Sequence, residues 1–137
     1  MPIDYRIDHD RWLVLAYGRG TMTDEEVFGY QQTVWSRPDV AGYDELVDMT
    51  EVEHIALPSA DRVQQLAALS AAMDAPQSAS KFAIVAPQDL AFGLGRMYQA
   101  YRDQDTRSMK QVGVFRTSKD AGAFLGFDGE SLKRGKV

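Results

Sequence analysis

The segment from residue 44 to residue 73 constrains the fold more than any other part of the chain. An apolar run predicts a buried strand that ends at Asp48 and Thr50. A helix is expected shortly afterwards, because Pro58 suits a first helical turn and Ser59 is a favoured N-cap residue. A strand followed closely by a helix is typical of an α/β sheet, whose ligands usually bind at the carboxyl ends of the strands.

The same alternation runs along the whole sequence. An alternating strand is predicted at residues 3–7 and a fully apolar one at residues 12–17, which the glycines at 18 and 20 should end. The later predicted elements are a helix from Thr23 to before Pro38, the strand and helix of 44–73, a strand over 82–86, a helix over 89–102, a strand over 111–115 and a helix through Leu125. This order predicts an α/β fold with a mixed, mostly parallel five-stranded sheet and about four helices.

Capping signals mark where two of the helices should begin. Thr23 is followed three residues later by Glu26, as in a capping box. Met22 and Val27 have the spacing of a hydrophobic staple around that box. Thr117 is expected to cap the last helix in the same way.

The composition is that of one globular domain. The chain has 137 residues, of which 45% are hydrophobic and 26% charged. It has no cysteine, which excludes a disulfide scaffold, a thiolate metal site and a cysteine nucleophile. We assign residues 1–127 to the domain and residues 128–137 to a polar, basic C-terminal tail. That tail carries Lys133, Arg134 and Lys136 and is expected to be frayed and solvated.

Several partner classes are disfavoured by charge and hydropathy. A net charge of −5 argues against a nucleic-acid partner, which needs clustered Lys and Arg. No apolar run approaches the roughly 20 residues of a transmembrane segment. Charges within residues 1–10 argue against a signal peptide, so we expect a cytoplasmic protein. No cofactor is indicated and no metal site is predicted, since Asp8, His9 and Asp10 are adjacent and do not converge on one point.

The element order and the segment LVDMTEVEHIALPSADRV resemble the STAS domain, the fold of bacterial anti-sigma factor antagonists. They are most similar to the SpoIIAA-like group, whose relatives carry STAS/Sec14-type names, and the resemblance covers about residues 3–126. In phosphoregulated members the matching segment is roughly D-L-S-x-V-x-x-M-D-S-S-G, and Asp48, Thr50 and Val52 match its beginning. Pro58 stands at the position of the phosphoacceptor serine. The resemblance implies a bacterial, non-enzymatic module for regulation or protein interaction, and it carries no catalytic residue over.

Four polar residues near the predicted strand–helix junction are candidates for ligand or partner contacts. Asp48 and Thr50 are interpreted either as turn residues or as the polar rim of a pocket. Ser59 is a helix cap or, as a weaker alternative, a phosphorylation site at a helix N-terminus. His54 has no Ser or Cys partner at a recognisable spacing and is predicted to lie in a loop. We therefore expect no enzymatic activity.

The predicted third helix carries more aromatic surface than one buried stripe needs. The stripe expected to face the sheet consists of Leu90, Leu94, Met97 and Tyr101. Phe92 and Tyr98 lie off that stripe, and they should contact a second subunit of a homodimer or an apolar ligand. The alternative function is thus a carrier or sensor of a small, lipid-like apolar molecule, with membrane association included in that alternative. A regulatory protein partner belongs to the first hypothesis.

Overall fold

A computed structural model describes residues 3–56, 59–75 and 78–135. The elements are β1 (Ile3–Asp8), β2 (Leu13–Thr23), α1 (Asp24–Trp35), β3 (Asp44–Ala56), α2 (Ala60–Met73), β4 (Lys81–Val85), α3 (Asp89–Gln104), β5 (Gln111–Phe115) and α4 (Ser118–Leu125). Short 3-10 helices lie at Pro38–Val40 and Gly129–Leu132. The predictions for Pro58 and Lys136 fall outside the described residues. No helix in the described ranges is long and apolar enough to cross a membrane.

The five strands form one sheet in the order β1-β2-β3-β4-β5. β1 is antiparallel to β2, and every other neighbouring pair is parallel. The predicted mixed, mostly parallel five-stranded sheet with four main helices is therefore confirmed. Parallel neighbours require crossover connections, and α1, α2 and α3 provide them.

The two faces of the sheet have unequal cover. Leu15 belongs to a cluster with Leu125 of α4 and Leu132 of the last 3-10 helix. Ala16, the next residue on β2, belongs to a cluster that includes Val27 of α1. Successive side chains of a strand point to opposite faces, so α4 lies on one face and α1 on the other. α2 and α3 pack on the same face as α1.

β2 and β3 are longer than the sequence predicted. β2 continues through Gly18 to Thr23, and β3 continues past Thr50 to Ala56. The two strands pair along this extension with register shifts, and Gly20 has a φ of 63° there. Glycine tolerates that conformation, so the glycines bend the strand without ending it.

The extension changes the place of His54, which lies on strand β3 opposite Thr21 and not in a loop. Trp12 also departs from the prediction of a buried strand residue. It has a φ of 54°, lies before β2 begins, and is 69% exposed.

Residues 128–135 are not the solvated tail that the sequence suggested. Leu132 is fully buried, and its carbonyl accepts a hydrogen bond of 2.8 Å from the Tyr17 hydroxyl. Gly129 lies so close to α4 that an added Cβ would come within 2.7 Å of the Lys119 Cα. A single buried leucine in a polar segment thus anchors it across the α4 face of the sheet.

The predicted caps differ in outcome. The Thr23 hydroxyl accepts from the Glu26 backbone N–H at 3.3 Å, and Thr117 caps α4 in the same way at 3.2 Å. Both predictions are confirmed. Ser59 occupies the N-cap position of α2, but its side chain makes no capping hydrogen bond.

Candidate functional site

Helix α3 presents a different face to the sheet from the one predicted. Its buried residues are Ala91, Gly95, Tyr98 and Arg102. Tyr98 makes an edge-on contact with Phe82, with ring centroids 5.8 Å apart, whereas Leu90 is 63% exposed. A Cβ added at Gly95 would lie 3.0 Å from Val114, so the small residues of this face let the helix approach the sheet closely. The prediction that the larger residues Leu90, Leu94, Met97 and Tyr101 form the face toward the sheet is therefore wrong. Tyr98, which was predicted to project to the side, lies on the buried face.

A cavity of about 110 Å³ lies between the sheet and helices α1, α2 and α3. Its apolar walls include Ala16, Met22, Val27, Met49, Ile55, Val63, Leu66, Phe82, Ile84, Ala91 and Leu94. Of the residues that the sequence named as candidates for ligand or partner contacts, Tyr98 alone lines it. The cavity is a consequence of small side chains, since alanines stand on both the sheet wall and the α3 wall.

Polar side chains at the margin of the cavity are already satisfied by neighbouring groups. The Ser70 hydroxyl donates to Gln31 Oε1 at 3.0 Å. Arg102 donates through Nη1 to the Tyr98 hydroxyl at 2.7 Å, and burial raises the pKa of Tyr98 to about 12. Because these side chains hydrogen-bond to one another, a molecule in the cavity need not supply hydrogen bonds to them.

Glu45 is a buried carboxylate on the same face of β3, and it is only 4% exposed. Its Oε2 accepts hydrogen bonds from the Tyr30 hydroxyl at 2.6 Å and from Trp35 Nε1 at 3.0 Å. Burial raises the pKa of Glu45, and the Lys110 ammonium, 4.0 Å from Oε1, opposes that rise. Lys110 also lies 4.1 Å from the Trp35 ring centroid.

Asp74 continues this network. It pairs with the Arg102 guanidinium, lies 3.6 Å from the Lys110 ammonium and accepts a hydrogen bond of 2.6 Å from the Ser108 hydroxyl. Two carboxylates, Glu45 and Asp74, thereby offset two cations. We call Glu45, Asp74, Arg102 and Lys110 the buried quartet.

A second pocket, of about 290 Å³, lies on the α4 side of the sheet near the carboxyl ends of the β2 and β3 core segments. Its lining consists of Tyr17, Gly18, Asp48, Thr50, Glu51, Ser118, Lys133 and Arg134. Asp48 and Thr50, which the sequence left either as turn residues or as a pocket rim, both belong to this lining. They also show turn chemistry, because Asp48 Oδ1 accepts from the Thr50 backbone N–H at 2.9 Å and from the Thr50 hydroxyl. We call this the Asp48 pocket.

The other predicted site residues lie outside both cavities. His54 and Ser59 are exposed on β3 and before α2. The Phe92 ring is covered by the Arg116 guanidinium, whose central carbon is 4.0 Å from the ring centroid. Met97 and Tyr101 pack, partly buried, against the core of α3 and the sheet. The chain itself therefore covers much of the aromatic surface for which a second subunit or a ligand was expected.

Sequence reasoning missed the buried quartet. The sequence feature that could have indicated it is Glu45, because this charged residue directly precedes an apolar strand segment that was predicted to be buried. A buried charge needs a partner of opposite sign. The partners come from α3 and from the segment before β5, so no local spacing reveals them.

No protein-family model matches this chain, and no curated protein matches it. A solved structure similar to it is that of an uncharacterized protein of the DUF3478 family with a SpoIIAA-like fold, from Shewanella loihica PV-4. The two share 18% sequence identity with a TM-score of 0.55, and the match covers 90% of this chain and 91% of the other. This chain accordingly has the SpoIIAA-like α/β fold that the sequence predicted.

Proposed function

We propose that this domain is a non-enzymatic binding module that holds a small apolar ligand in the cavity between the sheet and helices α1, α2 and α3. The observation that carries this proposal is the cavity itself, with apolar walls and a volume of about 110 Å³. Well-packed interiors contain few voids larger than a water molecule, and a void without partners forfeits dispersion contacts. An occupant would restore those contacts.

The chemistry of the walls favours a hydrocarbon-like ligand. Ser70 is bonded to Gln31, and Tyr98 receives a hydrogen bond from Arg102, so a polar ligand would have to break existing bonds. An apolar cavity of roughly 150 Å³ in another protein stays dry and takes up benzene. The buried part of the ligand should therefore be on the order of one ring or one short branched chain. Met22 in the wall can adapt its shape to it.

The regulatory and protein-interaction hypothesis is supported by the SpoIIAA-like fold. It is compatible with ligand binding, since a ligand that stabilises the α1–α3 side would alter the surface that these helices present. The non-enzymatic part of the proposal is supported by the histidines. Among the described residues, His9 hydrogen-bonds to the Tyr43 hydroxyl, and His54 is exposed with no hydrogen bond to a serine or threonine.

Thermal unfolding in the presence of benzene tests the proposal. A ligand that binds only the folded state at ten times its dissociation constant adds about 1.4 kcal/mol to the free energy of unfolding. Ala16→Val fills part of the cavity, and we expect it to remove most of the benzene-induced rise in Tm. Ala83→Val is the matched control, because Ala83 is equally buried but belongs to the cluster on the α4 face. A wild-type Tm that benzene does not raise, or an equal rise in Ala16→Val and Ala83→Val, would contradict the proposal.

A further inference from the structure

We propose that the Asp48 pocket is a separate binding site for a small molecule that carries an ammonium group. This inference is independent of the apolar cavity, which lies on the opposite face of the sheet. It rests on the surroundings of one carboxylate, on the engagement of the nearby cations and on the size of the pocket.

The Asp48 carboxylate is buried and only partly satisfied. The residue is 7% exposed and lines the pocket. Its Oδ1 accepts both hydrogen bonds from Thr50, whereas Oδ2 has no hydrogen-bond partner among the described residues. No Lys or Arg of the described ranges lies within 4.0 Å of either oxygen. Oδ2 is open to the pocket, so a ligand ammonium group can form an ion pair with it in largely buried surroundings.

The cations at the mouth of the pocket are committed to other carboxylates. Arg134 spans Asp4 and Glu51, with Nη2 2.7 Å from Asp4 Oδ2 and Nη1 3.1 Å from Glu51 Oε2. Lys133 lies 2.9 Å from Glu130 Oε1. An anionic ligand would have to displace these partners and approach Asp48 as well. Of the two carboxylates in the lining, Glu51 pairs with Arg134, whereas Asp48 makes no salt bridge to a described cation. An ammonium group can therefore approach Asp48 without displacing a salt bridge, which favours it over a phosphate or a carboxylate.

The remaining lining suits a small polar molecule. The pocket has a volume of about 290 Å³ and carries the hydroxyl-bearing residues Thr50 and Ser118 in its walls. An ammonium group at Asp48 Oδ2 would leave the rest of a small amine beside these residues. Ethanolamine has this combination of charge, size and hydroxyl group, so it is a suitable probe.

The test is a titration with ethanolamine at pH 7, followed through the backbone amide resonances of ¹⁵N-labelled protein. We expect saturable shifts at Thr50 and Glu51, next to the Asp48 carboxylate, and at least a tenfold loss of affinity in Asp48→Asn. Glu53→Gln is the matched control, since Glu53 is an exposed carboxylate on the same strand that does not line the pocket, and it should bind like wild type.

Ethylene glycol supplies a test that needs no variant. It matches ethanolamine in size but lacks the charge, so it should give no saturable shift in the wild-type protein. The proposal is overturned if ethanolamine does not saturate, if Asp48→Asn binds it as tightly as wild type, or if ethylene glycol binds equally well. Should Asp48→Asn fail to fold, the comparison of the two probes on the wild type decides the question.

Discussion

Strand β3 carries two buried carboxylates whose surroundings are opposite in kind. Glu45 and Asp48 are three positions apart, so they lie on different faces of the sheet. Glu45 faces α1–α3, where it receives two hydrogen bonds and lies near Lys110. Asp48 faces the α4 side, where Thr50 is its hydrogen-bonding partner. Both carboxylates line a cavity, but Glu45 is held in a network with aromatic donors and a cation, whereas Asp48 makes hydrogen bonds only to Thr50 among the described residues.

The two carboxylates are similarly buried, so their different partners distinguish a structural role from a binding role. A buried charge that is hydrogen-bonded and lies near an opposite charge contributes to one packing arrangement, and removing a partner leaves the remaining charge buried at a cost. A largely buried charge without a salt bridge can instead form one with a ligand. Substitutions around Glu45 and around Asp48 should therefore differ in their effect on stability.

The largest expected effect is on the enclosed side. Arg102→Met keeps much of the apolar stem but leaves Asp74 with less charge compensation, so it should lower the free energy of unfolding by about 3–5 kcal/mol. Urea denaturation measures this change. Arg107→Met is the control, because the Arg107–Asp105 pair lies at the surface and should contribute far less than the buried pair. Equal losses in the two variants would mean that the buried quartet is no more important than a surface ion pair.

The next largest effect concerns the loss of stability at high pH that follows from the burial of Tyr98. The pKa of Tyr98 is about 12 in the folded protein against an ordinary value of 10, so folding favours the neutral phenol. Its contribution is complete below pH 10 and is lost as the pH rises through 12. The wild type should therefore lose roughly 2–3 kcal/mol more than Tyr98→Phe over this interval. Denaturant titrations at each pH measure the difference, and parallel profiles for the two proteins would refute it.

A direct comparison of the two carboxylates uses the same chemical change at both. Glu45→Gln weakens hydrogen bonds to a charged group and should cost about 2 kcal/mol at pH 7. Asp48→Asn removes a charge that makes no salt bridge among the described residues and should alter stability by less than about 0.5 kcal/mol, or increase it. Urea denaturation of both variants provides the readout. A larger loss of stability in Asp48→Asn than in Glu45→Gln would contradict the structural role assigned to Glu45.

A smaller effect concerns the caps that define the helices on the enclosed side. Thr23→Ala should destabilise the protein by about 1 kcal/mol, because it removes the hydrogen bond to the Glu26 backbone N–H. Ser59→Ala should have almost no effect, since the Ser59 side chain makes no capping bond. Chemical denaturation distinguishes the two. If Ser59→Ala lowers the free energy of unfolding as much as Thr23→Ala does, the side-chain hydrogen bond is not what makes a cap residue stabilising.

Local signals predicted most of the fold and little of the enclosed site. The caps at Thr23 and Thr117 and the apolar strand runs depend on residues close in sequence, so the element order could be predicted. Asp48 and Thr50 could also be identified from the sequence, because they form a local turn motif after an apolar strand segment.

The enclosed side depends on contacts between distant residues, which local patterns do not encode. The orientation of α3 follows from the small size of Gly95 and from the burial of Arg102, whereas a stripe chosen by side-chain hydrophobicity points elsewhere. The burial of Leu132 likewise depends on Tyr17, more than a hundred residues away in the chain. The cavity likewise results from contacts between residues that are distant in sequence, so no sequence motif predicts it.

The most direct measurement of the central claim is a benzene titration followed through the methionine methyl resonances of ¹³C-methyl-labelled protein. Met22 and Met49 line the cavity, whereas Met109 is 58% exposed and does not. A ligand in the cavity predicts saturable shifts of the Met22 and Met49 methyl groups at one common dissociation constant, with Met109 unchanged. Shifts that rise linearly with benzene at all three methionines, or no shift at Met22 and Met49, would contradict the account.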